Sequence, residues 1–265
     1  MNLEVDGILT HIQRVGEGRP VLLLHGWGPS SVTLDRHLMP LARQLQGQYE
    51  VTMLEFPGHG ASGLPRDTWG VAEFAAWTLK AMDLLALKQP VIVAHSFGGR
   101  VALHLAANHP DRVSSLVLTG CAGLRPKKTL KGWVRTRIFQ AGRLFIQALG
   151  LIPALKYKAE DWLASLRVAF SSRDYLATPE ALRGSFSQIV RQDLRPLLPD
   201  IKHQTLLVWG EMDSATPLWM GQAMAREMPH ACLLVYEGDD HFAYHNQVAR
   251  FANAVDAFLQ EVHPA

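Results

Sequence analysis

Apolar and polar positions alternate with period two near the start of the chain, over residues 3–8 and again over 9–15, with Asp6-Gly7 between the runs. That pattern predicts an antiparallel hairpin at a sheet edge. Later short runs are apolar at nearly every position: 21–24, 49–54, 91–94, 113–118, 205–209 and 232–236. A run of this kind predicts a strand covered on both faces. Between the strands the period changes to that of a helix, as in Leu34, Leu38, Leu41 and Leu45, and helices are expected over 69–87, 218–228 and 247–262. Strands alternating with helices imply parallel crossovers, and ligands then bind outside the strands' carboxyl ends. The alternation stops at residue 122. From there to 202 only helical patterns appear, at 130–149, 157–170 and 179–194. The fold expected is α/β, a mostly parallel eight-stranded sheet with helices on both faces. Its core comprises 1–121 and 203–265, and an inserted helical cap, 122–202, covers the ligand edge.

Composition narrows the function classes. The 265 residues are 48% hydrophobic and 19% charged with a net charge of +2, values of a globular domain and not of a nucleic-acid binder. Cys121 and Cys232 each adjoin an expected buried strand. They fit structural thiols of a reducing compartment better than a disulfide framework, and no cysteine cluster has zinc spacing. The N-terminus is acidic and lacks a basic stretch before an apolar core, so it does not read as a secretory signal. The longest apolar stretch, 144–155, is interrupted by Gln147 and too short to span a bilayer. A cytoplasmic protein without metal or cofactor is expected.

Candidate chemistry begins at residues 90–102, Pro-Val-Ile-Val-Ala-His-Ser-Phe-Gly-Gly-Arg-Val-Ala. A buried strand runs without a loop into a helix, and Ser96 stands at the sharp turn between them. Such a turn strains the serine backbone and lifts its hydroxyl above the strand end, while Gly98 and Gly99 permit close helix–strand passage. Ala94 occupies the first glycine position of the Gly-x-Ser-x-Gly pattern. A serine hydroxyl is a weak nucleophile without a base. Two later strand-end loops carry candidates, Gly210-Glu211-Met212-Asp213-Ser214-Ala215-Thr216-Pro217 and Glu237-Gly238-Asp239-Asp240-His241-Phe242. Parallel strands finish at one rim, so Asp213 is placed to orient His241 and His241 to take the Ser96 proton. Glu211 is a rival acid and His245 a rival base. His25, His59 and His95 read as structural histidines at tight turns, Asp239 and Asp240 as solvated loop charges, and Cys121 lacks an activating partner.

Taken together, His25-Gly26-Trp27-Gly28, Pro57-Gly58-His59-Gly60-Ala61-Ser62, the elbow at Ser96, the Gly-x-x-Asp ending at Asp213, and His241 resemble the α/β-hydrolases with a helical cap. The resemblance covers nearly the whole chain. It implies Ser96 as nucleophile, His241 as base and acid, Asp213 as orienting carboxylate, and the backbone N–H groups of Trp27 and Phe97 as the oxyanion hole. Glu55 departs from the family's usual Asp at a loop-supporting position. A serine at the elbow sets aside members that attack with aspartate, the haloalkane dehalogenases and epoxide hydrolases.

Within that family the reading is a carboxylesterase for small to medium acyl esters, working through an acyl-enzyme. The alternatives are an acyl carrier protein methyl ester esterase and a carbon–carbon bond hydrolase, whose members usually have Asn where His95 stands. A menaquinone-pathway lyase shares the Ser-x-Gly-Gly-Arg elbow, and a non-catalytic ligand receptor is the reading from another class. Between 125 and 158 lie Arg125, Lys127, Lys128, Lys131, Arg135, Arg137, Arg143, Lys156 and Lys158, with no acidic residue. This is either a solvated face or a surface for an anionic partner, an acyl carrier protein or an anionic membrane. Among the apolar residues between the charges, Trp133, Phe139 and Phe145 are expected to line an acyl pocket, or else to form the cap's own core.

Overall fold

The computed structural model describes residues 1–28, 34–125, 130–152, 155–170 and 173–264. Eight strands form one sheet: β1 (Asn2–Val5), β2 (Ile8–Val15), β3 (Arg19–Leu24), β4 (Tyr49–Leu54), β5 (Val91–His95), β6 (Leu116–Thr119), β7 (Thr205–Gly210) and β8 (Ala231–Tyr236). Their spatial order is β1-β2-β4-β3-β5-β6-β7-β8. β2 runs antiparallel to β1 and β4, and every pair from β4 to β8 is parallel. The α/β fold expected from the periodicities is therefore present. Asp6 (φ 53°) and Gly7 (φ 72°) make the two-residue hairpin turn, whose backbone twist matches that of the flanking strands.

The helices are α1 (Met39–Leu45), α2 (Val71–Leu84), α3 (Phe97–Asn108), α4 (Leu130–Leu149), α5 (Lys156–Phe170), α6 (Arg173–Ala177), α7 (Glu180–Arg191), α8 (Trp219–Glu227), α9 (Ala243–Asn246) and α10 (Val248–Val262). Side chains alternate across each strand, so Leu22 and Leu24 face one layer and Val21 and Leu23 the other. The first layer contains α2, α3 and α8; the second contains α1, α9 and α10. Covering both faces is what makes the central strands apolar throughout, with all of β5, β6 and β7 buried.

Two boundaries differ from the sequence expectation. β6 begins at Leu116 and not at 113, although Ser114 and Ser115 already share backbone hydrogen bonds with Pro90 and Ile92. The chain also divides into two compact units, 1–124 with 184–265 and a second of 125–183. Residues 184–202, expected in the cap, belong to the first. There Ile189, Leu194, Leu198 and Ile201 join the core on the α3 side of the sheet. Cys121 is buried as expected, whereas Cys232 is exposed, because β8 is an edge strand.

Candidate active site

The turn between β5 and α3 gives Ser96 φ 51° and ψ −107°. A side chain rarely occupies this region, which costs roughly 1–3 kcal/mol and persists only where surrounding contacts enforce it. Here Ser96 N–H donates to the Thr119 carbonyl at 3.1 Å, and the Ser96 carbonyl accepts from Ala122 N–H at 3.1 Å. Gly98 N–H donates to the His25 carbonyl at 3.0 Å. A Cβ at Gly98 would lie 2.5 Å from the Leu24 carbonyl oxygen, and one at Gly99 2.4 Å from Cys121 Sγ. Both positions accept only glycine while α3 passes so close to β3 and to Cys121. Phe97 is the first residue of α3, so its N–H lacks a carbonyl one turn back and points out of the helix with the positive end of its dipole.

Asp213 and His241 are brought together by two loops that touch through Gly210. A Cβ there would lie 2.1 Å from the Asp240 carbonyl oxygen, and Met212 N–H donates to the Asp239 carbonyl at 2.8 Å. His241 Nδ1 lies 2.8 Å from Asp213 Oδ2. The other carboxylate oxygen accepts from Ala215 N–H at 2.9 Å and Thr216 N–H at 2.8 Å. Thr216 Oγ1 lies 2.7 Å from Oδ2 and 2.9 Å from the Gly120 carbonyl. Burial pushes the Asp213 carboxyl up, but the bonds from His241 and Thr216 outweigh it and hold the group below its ordinary value. An ionised Asp213 fixes the proton of His241 on Nδ1 and leaves Nε2 as the acceptor. His95, adjacent to Ser96, ties the two halves together: its Nε2 donates to the His241 carbonyl at 3.0 Å and the two rings are 4.6 Å apart.

The rival groups are engaged elsewhere. Glu211 accepts from Gly238 N–H at 3.0 Å. His245 Nε2 bonds the Arg36 carbonyl at 3.0 Å. Asp239 and Asp240 hold the turn into α9 through Asn246, Gln247 and Phe242 N–H, and Asp240 is exposed as expected of a loop charge. His25 accepts from Phe56 N–H at 3.0 Å and donates to the Gly26 carbonyl at 2.7 Å, and burial lowers it to about 3. Burial likewise lowers His59 to about 4 and His95 well below the usual histidine value. Cys121 is pushed up to about 12 by burial, an unreactive thiol. Glu55 does support its loop, accepting from Ala61 N–H at 2.6 Å. Arg100 is buried and donates to the Gln192 carbonyl at 2.9 Å, which ties α3 to the segment after α7.

Trp27 stands edge-on to Phe97 at 5.2 Å and to His59 at 4.7 Å, and its ring is 5.4 Å from that of Phe186 on α7. Phe139 and Phe145 lie on α4, the first partly buried and the second 66% exposed. Six residues apart, they lie about 120° apart around the helix. Trp133 is on the same helix, its side chain outside the described residues, and Lys127 and Lys128 also lie outside them. Thr216, Gly120 and Phe186 were not foreseen. Only Thr216 had a signal, the Asp-Ser-Ala-Thr-Pro composition of a turn in which an aspartate caps the following N–H groups.

Comparison with known proteins agrees with this architecture. Residues 19–247 match the model of the alpha/beta hydrolase fold family, and the chain belongs to that family. It is 30% identical to a pimeloyl-[acyl-carrier protein] methyl ester esterase of Chromobacterium violaceum, over 94% of this chain and 97% of the relative. It is also 31% identical to a 2-hydroxymuconate semialdehyde hydrolase of Pseudomonas putida, over 96% and 92%. Among solved structures, a meta-cleavage product hydrolase superposes with a TM-score of 0.73 at 23% identity, covering 98% of each chain. Hydrolase chemistry follows from the family and these relatives.

Proposed function

We propose that the protein is a serine carboxylic ester hydrolase acting on small to medium acyl esters. The observation that carries this reading is the 2.8 Å pair of His241 Nδ1 and Asp213 Oδ2 on the rim where the Ser96 turn stands. Ser96 Oγ would attack the ester carbonyl while His241 Nε2 takes its proton. The carbonyl oxygen, now an anion, would be stabilised by the N–H groups of Phe97 and Trp27, each donor being worth about 10²–10³ in rate. Collapse breaks the bond to the alkoxy group, which leaves as the alcohol with the proton from His241. Water then attacks the acyl-enzyme with His241 again as base, releasing the acid and free Ser96. The methyl ester esterases among the relatives support esters as the class, including acyl esters borne by a carrier protein.

The second reading is carbon–carbon bond hydrolysis, favoured by the relatives named as 2-hydroxymuconate semialdehyde hydrolases. Chromogenic esters of graded chain length, given to the enzyme and to Ser96→Ala, separate the readings. Ester turnover by the enzyme, reduced about 10⁴-fold or more in the variant, supports the first. Equal turnover by both proteins would dispose of Ser96 as nucleophile. Turnover of a dienoic keto acid without any ester turnover would establish the second.

A further inference from the structure

Charge is divided unevenly over the chain. Residues 125–183 carry 12 Lys and Arg against 4 Asp and Glu, which leaves 14 against 20 on all the rest. Among the described residues, the same unit also holds most of the large apolar side chains on the surface. Leu130 (77% exposed), Val134, Ile138 and Phe145 recur along α4 at helical spacing, with Leu144 beside them. At 1.5 Å per residue this apolar stripe runs about 22 Å. The turn from α4 to α5 adds Leu151 (85% exposed), Ile152 and Tyr157 (80% exposed), and the exposed Lys156 and Lys158 flank that tyrosine.

We propose that the helical unit 125–183 docks on a membrane surface rich in anionic phospholipid. Monomeric proteins rarely expose so much contiguous apolar surface without a partner. Apolar side chains interleaved with cations on one helix and its turn supply the two signals that interfacial binding needs, insertion of side chains and attraction to headgroups. A second copy of the chain fits poorly, because two such basic units repel. An acidic carrier protein satisfies the charge but offers no apolar phase for the side chains of the stripe and of the turn beyond it. No helix is long and apolar enough to cross a membrane among the described residues, so the unit lies on the surface. This inference does not depend on the ester reading.

Co-sedimentation of the full chain with vesicles tests it. The chain pellets with phosphatidylcholine–phosphatidylglycerol vesicles, less as salt rises, and not with phosphatidylcholine alone. Lys156→Glu with Lys158→Glu weakens binding at least about fivefold per position. A triple variant, Leu130→Ser, Leu151→Ser and Tyr157→Ser, weakens it about tenfold or more with an unchanged melting temperature, since all three side chains are exposed. Absence of binding to anionic vesicles at low salt overturns the proposal, as does undiminished binding by the triple variant. Capture of an acidic carrier protein while neither vesicle binds overturns it too, and assigns the surface to that carrier.

Discussion

At the scale of single residues, Gly120 belongs to the site through an approach that only the tertiary structure reveals. Gly120 has φ +49°, and a Cβ there would stand 3.0 Å from His241 Nδ1 and 3.3 Å from Asp213 Oδ2. Gly120→Ala is therefore expected to cost about 1–2 kcal/mol in backbone strain and to displace the imidazole, lowering kcat more than it raises KM; steady-state kinetics beside thermal melting checks this. Asp213→Asn is expected to leave the fold intact and reduce kcat about 10⁴-fold, because the amide cannot hold the required tautomer. Asp213 also links the site to pH. Its folded pKa is depressed, so the stability it contributes is present above its unfolded value and is lost as pH falls through the folded one. Asp213→Asn should accordingly remove this contribution from the pH dependence of unfolding free energy below about pH 4.

At the scale of elements, α7 acts as a wall of the site although its pattern reads as part of an inserted cap. Leu182, Ser185, Phe186 and Ile189 are buried along one face, and Ser185 Oγ accepts from Trp69 N–H at 2.9 Å. An amphipathic helix reads the same whether its partner is a cap or the central sheet, which is why its placement was not legible. Ser96, Asp213 and His241 were legible, because each is a chemically distinctive residue at a breaker-rich loop after a buried strand. The start of β6 was not, since Val113 is extended without being in a ladder. Phe186→Ala is expected to leave Ser96 reactive yet loosen Trp27, lowering kcat about tenfold through the oxyanion contact, which is a fraction of the loss on removing the donor itself. If kcat stays unchanged while KM alone rises, Phe186 serves binding and not the positioning of Trp27.

At the scale of the whole molecule, the buried histidines set the acid limit. His25, His59 and His95 all have folded pKa values below the ordinary one, through burial. In such a case the unfolded chain binds more protons than the folded one, so stability falls as pH drops below about 6.5 and continues to fall toward the folded values. Each contributes a slope of about 1.4 kcal/mol per pH unit in that window, so stability is expected to decline before the carboxylates titrate. Urea unfolding midpoints at a series of pH values measure this; a flat profile between pH 6 and pH 5 would mean that the three are not buried neutral groups. These same histidines pack the loops behind Ser96, so the acid sensitivity of the fold and the rigidity of the Ser96 turn have one origin.

The central claim is that Ser96, activated by His241 and Asp213, is the nucleophile. Treatment with a fluorophosphonate, followed by intact-mass measurement and peptide mapping, tests it most directly. The account predicts one adduct per chain, located on Ser96, and none on Ser96→Ala, with labelling of His241→Ala slowed by orders of magnitude. An adduct on any other residue, or undiminished labelling of Ser96→Ala, would contradict it.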